Sequence, residues 1–176
     1  MLAQGVARST IVQAITASTE YRTKVVDRLY RDLLDRPADK SGLNTFVGAL
    51  AAGASIEQVQ AVLVGSTEYY QHAGGTDEKF LGNLYAKVLH RGIDTVGKAT
   101  WTQALTNGLS RTTVGGFVIT SAEAENNLVG EQYEGFLQRS ADAAGLGGWL
   151  AARRQGLRRE ALVAGFLGSD EFFADL

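Results

Sequence analysis

The sequence predicts an all-α protein, an array of three-helix repeats that is solenoid-like or compact and right- or left-handed. The first observation is a glycine that recurs at a nearly constant interval, at Gly5, Gly53, Gly108 and Gly156. A fixed period of roughly 20–50 residues is typical of repeat architectures. The second observation is the helical spacing of apolar residues within each repeat. The third is that no stretch of useful length alternates with the period of two that strands show, so the repeat of about 48 residues is predicted to be helical.

A second marker, a serine that follows each of these glycines at a constant distance, gives the predicted boundaries. The marker serines are Ser18, Ser66, Ser121 and Ser169. The stretch from the serine to the next loop arginine is longest in the middle copy, where it contains the extra segment QHAGGTD (71–77). The paired glycines of this segment favour an inserted loop. We predict a half repeat at 1–21 and full repeats at 22–69, 70–124 and 125–176. Since the half repeat is the tail of a unit, neighbouring repeats of a longer chain are expected beside it.

Each full repeat is predicted to form three helices. The first carries apolar pairs that make one broad apolar face; in repeat 1 they are Val25, Val26, Leu29, Tyr30, Leu33 and Leu34. The second carries one large aromatic residue that is expected to face inward, which is Phe46, Trp101 or Trp149. The third is apolar seven and three positions before each serine, and in the half repeat these positions are Ile11 and Ile15.

Residues at the predicted helix ends have local structural roles. Serine followed by acidic residues is typical of a helix N-terminus, as at Ser66 with Glu68. Ser55 with Gln58 predicts a capping box. The recurrent glycines of the full repeats, Gly53, Gly108 and Gly156, are expected to be left-handed C-caps at the ends of the second helices.

A charged motif, Arg-x-x-Asp-x-x-Gly, returns in the loop between the first and second helix of every full repeat. We call it the latch, and its members are Arg36, Asp39 and Gly42, then Arg91, Asp94 and Gly97, then Arg139, Asp142 and Gly145. The aspartate is expected to cap the second helix, and the arginine to pair with it or with carbonyls at the end of the first helix. Calcium binding is the alternative. Because calcium takes about six to eight oxygen ligands and each loop offers one carboxylate beside a cation, we predict a structural role and no metal site.

Composition and motifs exclude several classes of function. A net charge of −2 gives no attraction toward nucleic acid. No apolar run approaches the ~20 residues of a membrane span, so membrane insertion is not expected. With no cysteine and two histidines, thiolate and multi-histidine metal sites are excluded. The sequence has no glycine-rich phosphate loop after a strand and no His-Glu-x-x-His motif, so no cofactor, catalytic residue or enzymatic activity is predicted.

One cluster of charge departs from the repeat pattern. The segment ARRQGLRRE (152–160) carries four arginines around a glycine turn: Arg153, Arg154, Arg158 and Arg159. Arg153 stands where the other copies have leucine, and Arg158 and Arg159 begin a helix, where positive charge opposes the helix dipole. The cluster is a possible site for a carboxylate, a phosphate or a sulfated glycan. The alternative is a solvated terminal face of the array.

The chain resembles the domain-of-unknown-function family 4214 at the latch and around it. The resemblance lies in LYRDLLDRPADKSGLNTFVGAL with GASIEQVQAVLVGSTEYY, and in FLQRSADAAGLGGWL with GFLGSDEFF. It implies helical modules in large, often secreted or surface-associated bacterial proteins, sometimes beside calcium-binding repeats, and no established activity. The second copy departs most, with Lys98 after its glycine and Ala124 after its Ser-x-Glu. A weaker similarity to phycobilisome linker domains implies a scaffold for pigment proteins.

These observations together favour a non-enzymatic helical module for interaction with a protein or an anionic glycan, or for spacing, within a larger bacterial secreted or cell-surface protein. One alternative is an accessory module of an enzyme. Another is an intracellular scaffold of the phycobilisome-linker type. The expected location is extracellular or on the cell surface, with the cytoplasm as the alternative, since a chain without cysteine suits both.

Overall fold

The computed structural model describes residues 7–174, and every regular element in that range is an α-helix. The first of the recurrent glycines, Gly5, lies outside the described residues. The helices are α1 (Arg8–Thr16), α2 (Thr19–Leu34), α3 (Lys40–Ala51), α4 (Ile56–Val64), α5 (Thr67–His72), α6 (Asp77–Leu89), α7 (Thr95–Thr106), α8 (Arg111–Ile119), α9 (Ala122–Leu137), α10 (Ala143–Arg154), α11 (Arg159–Leu167) and α12 (Asp170–Ala174). The prediction of an all-α repeat protein is confirmed.

The helices follow one another in groups of three. The first helix of a repeat is α2, α5 with α6, or α9; the second is α3, α7 or α10; and the third is α4, α8 or α11. By the same spacing α1 is the third helix of the half repeat. In repeat 2 the first helix is broken between His72 and Asp77, inside the predicted insertion. Gly74 and Gly75 have φ of 109° and 69° there, a conformation that glycine adopts without strain.

The recurrent glycine after each second helix is explained by its backbone geometry. Gly53, Gly108 and Gly156 have φ of 103°, 91° and 94°. In repeat 1 the amide of Gly53 donates to the carbonyl of Leu50 at 3.2 Å, and the amide of Ala54 donates to that of Ala49 at 2.9 Å. This pair of bonds is the Schellman C-cap, and it recurs in the other two repeats. The predicted left-handed C-caps are confirmed, and so is the capping box at Ser55.

Each first helix also ends in a left-handed residue, and here it is not glycine. Asp35, His90 and Gln138 have φ of 53°, 57° and 51°. All three stand directly before a latch arginine. A side chain in this conformation costs roughly 1–2 kcal/mol because its Cβ approaches the following carbonyl oxygen. The residue that precedes each latch therefore has a strained backbone conformation.

Replacing Gln138 with glycine is expected to stabilise the protein. The gain should be about 0.5–1 kcal/mol, because relief of the Cβ strain is partly offset by the greater freedom of glycine in the unfolded chain. The midpoint of urea unfolding measures it. Gln138→Ala is the matched control, since it removes the same polar group but keeps Cβ. Equal midpoints for the two variants would show that the turn is not strained.

Contacts divide the described chain into two compact units. One holds residues 23–124, and the other holds residues 1–22 and 125–176 as far as they are described. The core of the first unit includes Val26, Leu63, Phe80 and Val114, all at most 3% exposed. The core of the second is Val129, Tyr133, Leu137, Leu162 and Phe166. The second-helix aromatic residues Phe46, Trp101 and Trp149 pack against these cores, as predicted.

Within each unit two third helices pack against each other. In the first unit the pair is α4 with α8, and in the second it is α1 with α11. Gly65, just beyond α4, lies over the start of α8 at Thr112. Gly168, just beyond α11, lies over the start of α1 at Ser9. Since the end of one helix meets the beginning of the other in both pairs, the same antiparallel packing is used twice.

Burial of the repeated apolar positions of the third helices differs at one residue. In the full repeats the predicted apolar positions are at most 3% exposed, which holds for Val59, Leu63, Val114, Val118, Leu162 and Phe166. In the half repeat Ile15 is 54% exposed, while Val12 and Thr16 of the same helix are buried. The apolar position that Ile15 shares with the full repeats is therefore not buried in the half repeat. The physical reason is that α1 has no first and second helix of its own among the described residues.

Candidate functional site

The latch of repeat 1 is part of a larger cluster. The Arg36 guanidinium binds both carboxylate oxygens of Glu68, with Nη2 donating to Oε2 at 2.8 Å. Its Nη1 donates to the carbonyl of Pro37 at 3.1 Å and to Oδ2 of Asp39 at 3.3 Å. The guanidinium carbon also lies 5.0 Å from the ring centroid of Tyr30, within the range of a cation–π interaction. We call the latch together with this tyrosine and glutamate the latch cluster.

The same latch cluster forms in all three full repeats. In repeat 2 Arg91 binds Glu123 and Asp94 and lies 5.1 Å from the ring of Tyr85. In repeat 3 Arg139 binds Glu171 and Asp142 and lies 4.9 Å from the ring of Tyr133. The arginine and the glutamate are 32 residues apart in every copy. The insertion of repeat 2 lies outside this span, which is why it leaves the cluster unchanged.

The aspartate and glycine of the latch begin the second helix. Oδ1 of Asp39 accepts the amide of Gly42 at 2.9 Å, which makes the aspartate the N-cap of α3. Asp94 and Asp142 cap α7 and α10 in the same way. A Cβ on the latch glycine would clash with the tyrosine hydroxyl of its own cluster in every repeat. Glycine is required because the tyrosine lies directly over the first turn of the helix.

Two members of the cluster were not predicted from the sequence. The glutamate was assigned only to the helix dipole, and the tyrosine only to the apolar face. The arginine was expected to pair with the aspartate or with carbonyls at the end of the first helix, and it pairs with the aspartate. The carbonyl that it bonds belongs to the next loop residue, which is Pro37, Gly92 or Ser140, because the left-handed residue before it turns the chain away from the helix. The constant separation between the arginine and the glutamate is the signal in the sequence that could have identified the glutamate.

The electrostatics of the cluster follow from these bonds. The arginine lowers the pKa of Glu68, Glu123 and Glu171 and is itself shifted to a higher pKa. The amide of the latch glycine lowers the pKa of Asp39, Asp94 and Asp142, with the arginine adding to the effect. All charges of the cluster are thus satisfied by one another. Among residues 7–174 no group of three or more histidine, aspartate or glutamate side chains could hold a metal ion.

Removing the cap of one latch is expected to lower stability modestly. Asp142→Ala loses the bond to the amide of Gly145, so the midpoint of thermal unfolding should fall by a few degrees while helical content at low temperature is kept. Circular dichroism measures both. Asp142→Asn is the matched control, because asparagine still caps a helix but carries no charge. A midpoint that falls as far for asparagine as for alanine would assign the effect to the ion pair rather than to the cap.

The lowered carboxylate pKa values predict a loss of stability in acid. Their contribution is fully present above the ordinary carboxylate range of about 4–4.5 and is lost as the pH falls through the lower values of the folded protein. We expect the thermal midpoint to be steady between about pH 7 and 5 and to fall below about pH 4. A variant with Glu68, Glu123 and Glu171 changed to glutamine should show a shallower fall. Parallel curves would exclude the latch clusters as the source.

The arginine cluster at 153–159 does not form one open patch. Arg153 turns inward, with its side chain 9% exposed, and binds both carboxylate oxygens of Glu125 at 2.8 Å. Its Nη1 also donates to the carbonyl of Leu157 at 2.6 Å. The interpretation of Arg153 as an anion-binding residue is therefore wrong, because its donors are used within the fold. Arg154 and Arg158 are exposed and Arg159 is half-buried, and Arg158 lies 3.4 Å from Glu160.

The structure shows a different exposed feature, an aromatic pair in repeat 2. Phe117 of α8 is 56% exposed. Its ring is stacked on that of Trp101, with centroids 6.0 Å apart and planes inclined by 20°. The indole Nε1 of Trp101 donates to the hydroxyl of Tyr85 at 2.9 Å. The inward-facing Trp101 thus forms the base on which an exposed phenylalanine rests, which no spacing in the sequence indicated.

A second feature of the same unit is a small pocket beside Arg111. It is lined by Gly65, Leu105, Leu109, Thr112 and, at its acidic edge, Asp77. The guanidinium of Arg111 lies 4.1 Å from the ring centroid of Tyr70, and its Nε is buried without a hydrogen-bond partner. Arg111 is therefore held mainly by an aromatic face.

No helix in the range 7–174 combines the length and the apolar character that a membrane crossing needs. No curated protein and no solved structure shows a significant match to the chain. A family model described as a domain of unknown function (DUF4214) matches three times, at residues 22–73, 60–128 and 117–176. Each matched segment contains one complete latch cluster, from the tyrosine to the glutamate, so successive matches overlap at the third helix and the Ser-x-Glu segment. The three matches cover the chain from residue 22 to its end, and the protein belongs to the DUF4214 family.

Proposed function

We propose that the chain is a non-enzymatic helical module that binds a protein partner within a larger bacterial secreted or cell-surface protein. The observation that carries this proposal is the aromatic pair in which the exposed Phe117 is stacked on the partly buried Trp101. Aromatic residues are enriched at the centres of protein interfaces relative to the rest of a protein surface. The pair is also held in place, since Trp101 is bonded to Tyr85 and packs against the core.

The chemistry of the pair favours a protein over a glycan. A sugar offers hydroxyl groups that need polar partners at a binding site. Phe117 has none, and the single donor of the Trp101 ring is already bonded. An apolar side chain of another protein would be buried against both rings without leaving a polar group unsatisfied.

The latch clusters support the non-enzymatic part of the proposal. Catalysis needs polar groups whose arrangement folding does not explain. The three repeated sets of charges instead neutralise one another and cap helices. The resemblance to modules of secreted and surface-associated bacterial proteins supports the proposed location.

Photo-cross-linking in the cells that produce the protein tests this function. A benzoylphenylalanine at position 117 should cross-link the chain to its partner, and protease should digest the resulting adduct. The same photo-reactive residue at exposed Gln103 of the neighbouring helix α7 is the control and should give no adduct. Protease added to intact cells should cleave the protein if it lies at the surface. Adducts that only glycosidases digest would replace the protein partner by a glycan. If neither position gave an adduct, the result would favour a spacing role for the chain and overturn the proposal.

A further inference from the structure

The pocket beside Arg111 arises from features that repeat 2 alone carries. It has a volume of about 270 Å³ and lies within one compact unit. In repeat 1 the positions that correspond to Leu105 and Arg111, counted from the recurrent glycine, are Leu50 and Ile56, which are 5% and 3% exposed in the core. In repeat 2 an arginine replaces the isoleucine, and Asp77, the last residue of the inserted segment, forms part of the wall. Charge thus enters a place that is apolar in repeat 1.

Arg8 and the latch arginines each combine an aromatic ring with a carboxylate. Arg8, which begins α1 as Arg111 begins α8, lies 4.3 Å from the ring of Phe173 and binds Asp170 at 2.9 Å. The three latch arginines combine a tyrosine ring with a glutamate in the same way. The ring attracts the guanidinium to its face, and the carboxylate neutralises the charge. An arginine held by a ring in this protein is therefore expected to have an anionic partner.

Arg111 has the ring and lacks the carboxylate. Its guanidinium lies 4.1 Å from the ring centroid of Tyr70, which itself packs on the fully buried Phe80 with centroids 6.3 Å apart. The residue of this repeat array that stands where Asp170 does, directly after the recurrent serine, is Thr67. Among the described residues the side chain of Arg111 has no hydrogen bond and no ion pair. Since its Nε is buried, the two Nη groups are the donors that a ligand can reach.

The pocket also carries an unpaired negative charge. The carboxylate of Asp77 has no hydrogen bond or ion pair within the part of the chain that the structure describes, so it does not neutralise Arg111. A ligand with a single charge would leave the opposite charge of the pocket without a partner. Leu105 and the 39% exposed Leu109 add an apolar wall. Because the volume is below the roughly 300–1,000 Å³ of sites for drug-sized ligands, the ligand has to be small.

We propose that this pocket binds a free α-amino acid with an apolar side chain. Its carboxylate accepts hydrogen bonds from the Nη groups of Arg111, its ammonium group faces Asp77, and its side chain is buried against Leu105 and Leu109. The cation is fixed on Tyr70 before the ligand arrives, which lowers the entropic cost of binding. The pocket contains neither ring of the aromatic pair, so this binding activity goes beyond the proposed function.

Isothermal titration calorimetry of the full chain with three related ligands tests the proposal. Free leucine carries both charges, 4-methylpentanoate is leucine without its ammonium group, and 3-methylbutylamine is leucine without its carboxylate. All three keep the same apolar side chain. We expect leucine to bind about tenfold or more tightly than either analogue, because a lost hydrogen bond to a charged group weakens binding by about that factor.

Two variants assign the charges of the pocket. Arg111→Gln should weaken the binding of leucine about tenfold or more and should not weaken that of 3-methylbutylamine. Asp77→Asn should weaken the binding of leucine and should not weaken that of 4-methylpentanoate. Arg154→Gln is the matched control, since Arg154 is exposed in the other compact unit, and it should bind leucine as the parent does. Circular dichroism checks that each variant is folded.

The order of the three ligands on the parent protein decides the question even where a variant fails to fold. Tighter binding of leucine than of both analogues, lost in the folded pocket variants, supports the proposal. It is overturned if leucine does not bind at millimolar concentration, or if either analogue binds as tightly as leucine. A folded Arg111→Gln variant with the parent's affinity for leucine would also overturn it.

Discussion

Replacing Gly65 with alanine is expected to destabilise the unit of residues 23–124 by about 2–3 kcal/mol, the upper part of the range for overpacking. The glycine ends α4 in an ordinary right-handed conformation, so backbone strain is not the reason. A Cβ at this position would come within 2.6 Å of Cα and 2.7 Å of the amide nitrogen of Thr112. Both are backbone atoms, and a backbone cannot rotate away as a side chain does. The start of α8 would have to move off α4.

Gly48 provides the matched control for the same substitution. It lies within α3, and a Cβ there would meet nothing within 4 Å. Gly48→Ala should therefore stabilise the protein by about 0.5–1 kcal/mol, since alanine loses less backbone freedom on folding. Denaturant unfolding of both variants gives the two values. Opposite signs are expected, and a neutral Gly65→Ala would show that the two helices do not approach as closely as described.

The contrast between the two glycines shows what the sequence could and could not reveal. Gly53, Gly108 and Gly156 were predicted as C-caps because a left-handed cap is a local requirement that recurs at a fixed place. The requirement at Gly65 depends on Thr112, which belongs to the next repeat, and on which two third helices pair. Neither is encoded in local spacing. The helices and their ends were therefore predictable, and the pairing of helices was not.

The candidate sites show the same division. Asp39, Asp94 and Asp142 cap helices that begin at the next residue, so a local motif was sufficient to predict them. The partner of the latch arginine lies beyond the third helix, 32 residues on, and required the folded repeat. Exposure of Phe117 could not be anticipated, because helical spacing alone does not tell which neighbour covers a given apolar residue. Arg153, which replaces a leucine of the other copies, was interpreted as an exposed charge. Its partner Glu125 lies 28 residues earlier in the chain, so the local sequence did not reveal the ion pair.

Arg153 and Glu125 form a largely buried ion pair, with side chains 9% and 18% exposed. Arg153→Leu is expected to destabilise the protein by about 3 kcal/mol, the cost typical of leaving one charge of a buried pair without its partner. Leucine itself suits the position, since its counterpart Leu50 is 5% exposed in the core of the other unit. The loss should therefore come from the carboxylate of Glu125 and not from packing.

A double-mutant cycle separates these two causes. The variant with both Arg153 and Glu125 changed to leucine removes both charges together, and apolar replacements of a buried pair are often neutral or stabilising. We expect the double variant to be at least as stable as the parent, and both single variants to be less stable, with the unfolding free energy measured in urea. Two single losses that simply add in the double variant would mean that the charges do not interact. The cycle also decides how anion binding can be tested. If Arg153 is structural, a titration with an anionic polysaccharide is informative only for a variant that changes Arg154, Arg158 and Arg159 and leaves Arg153 in place.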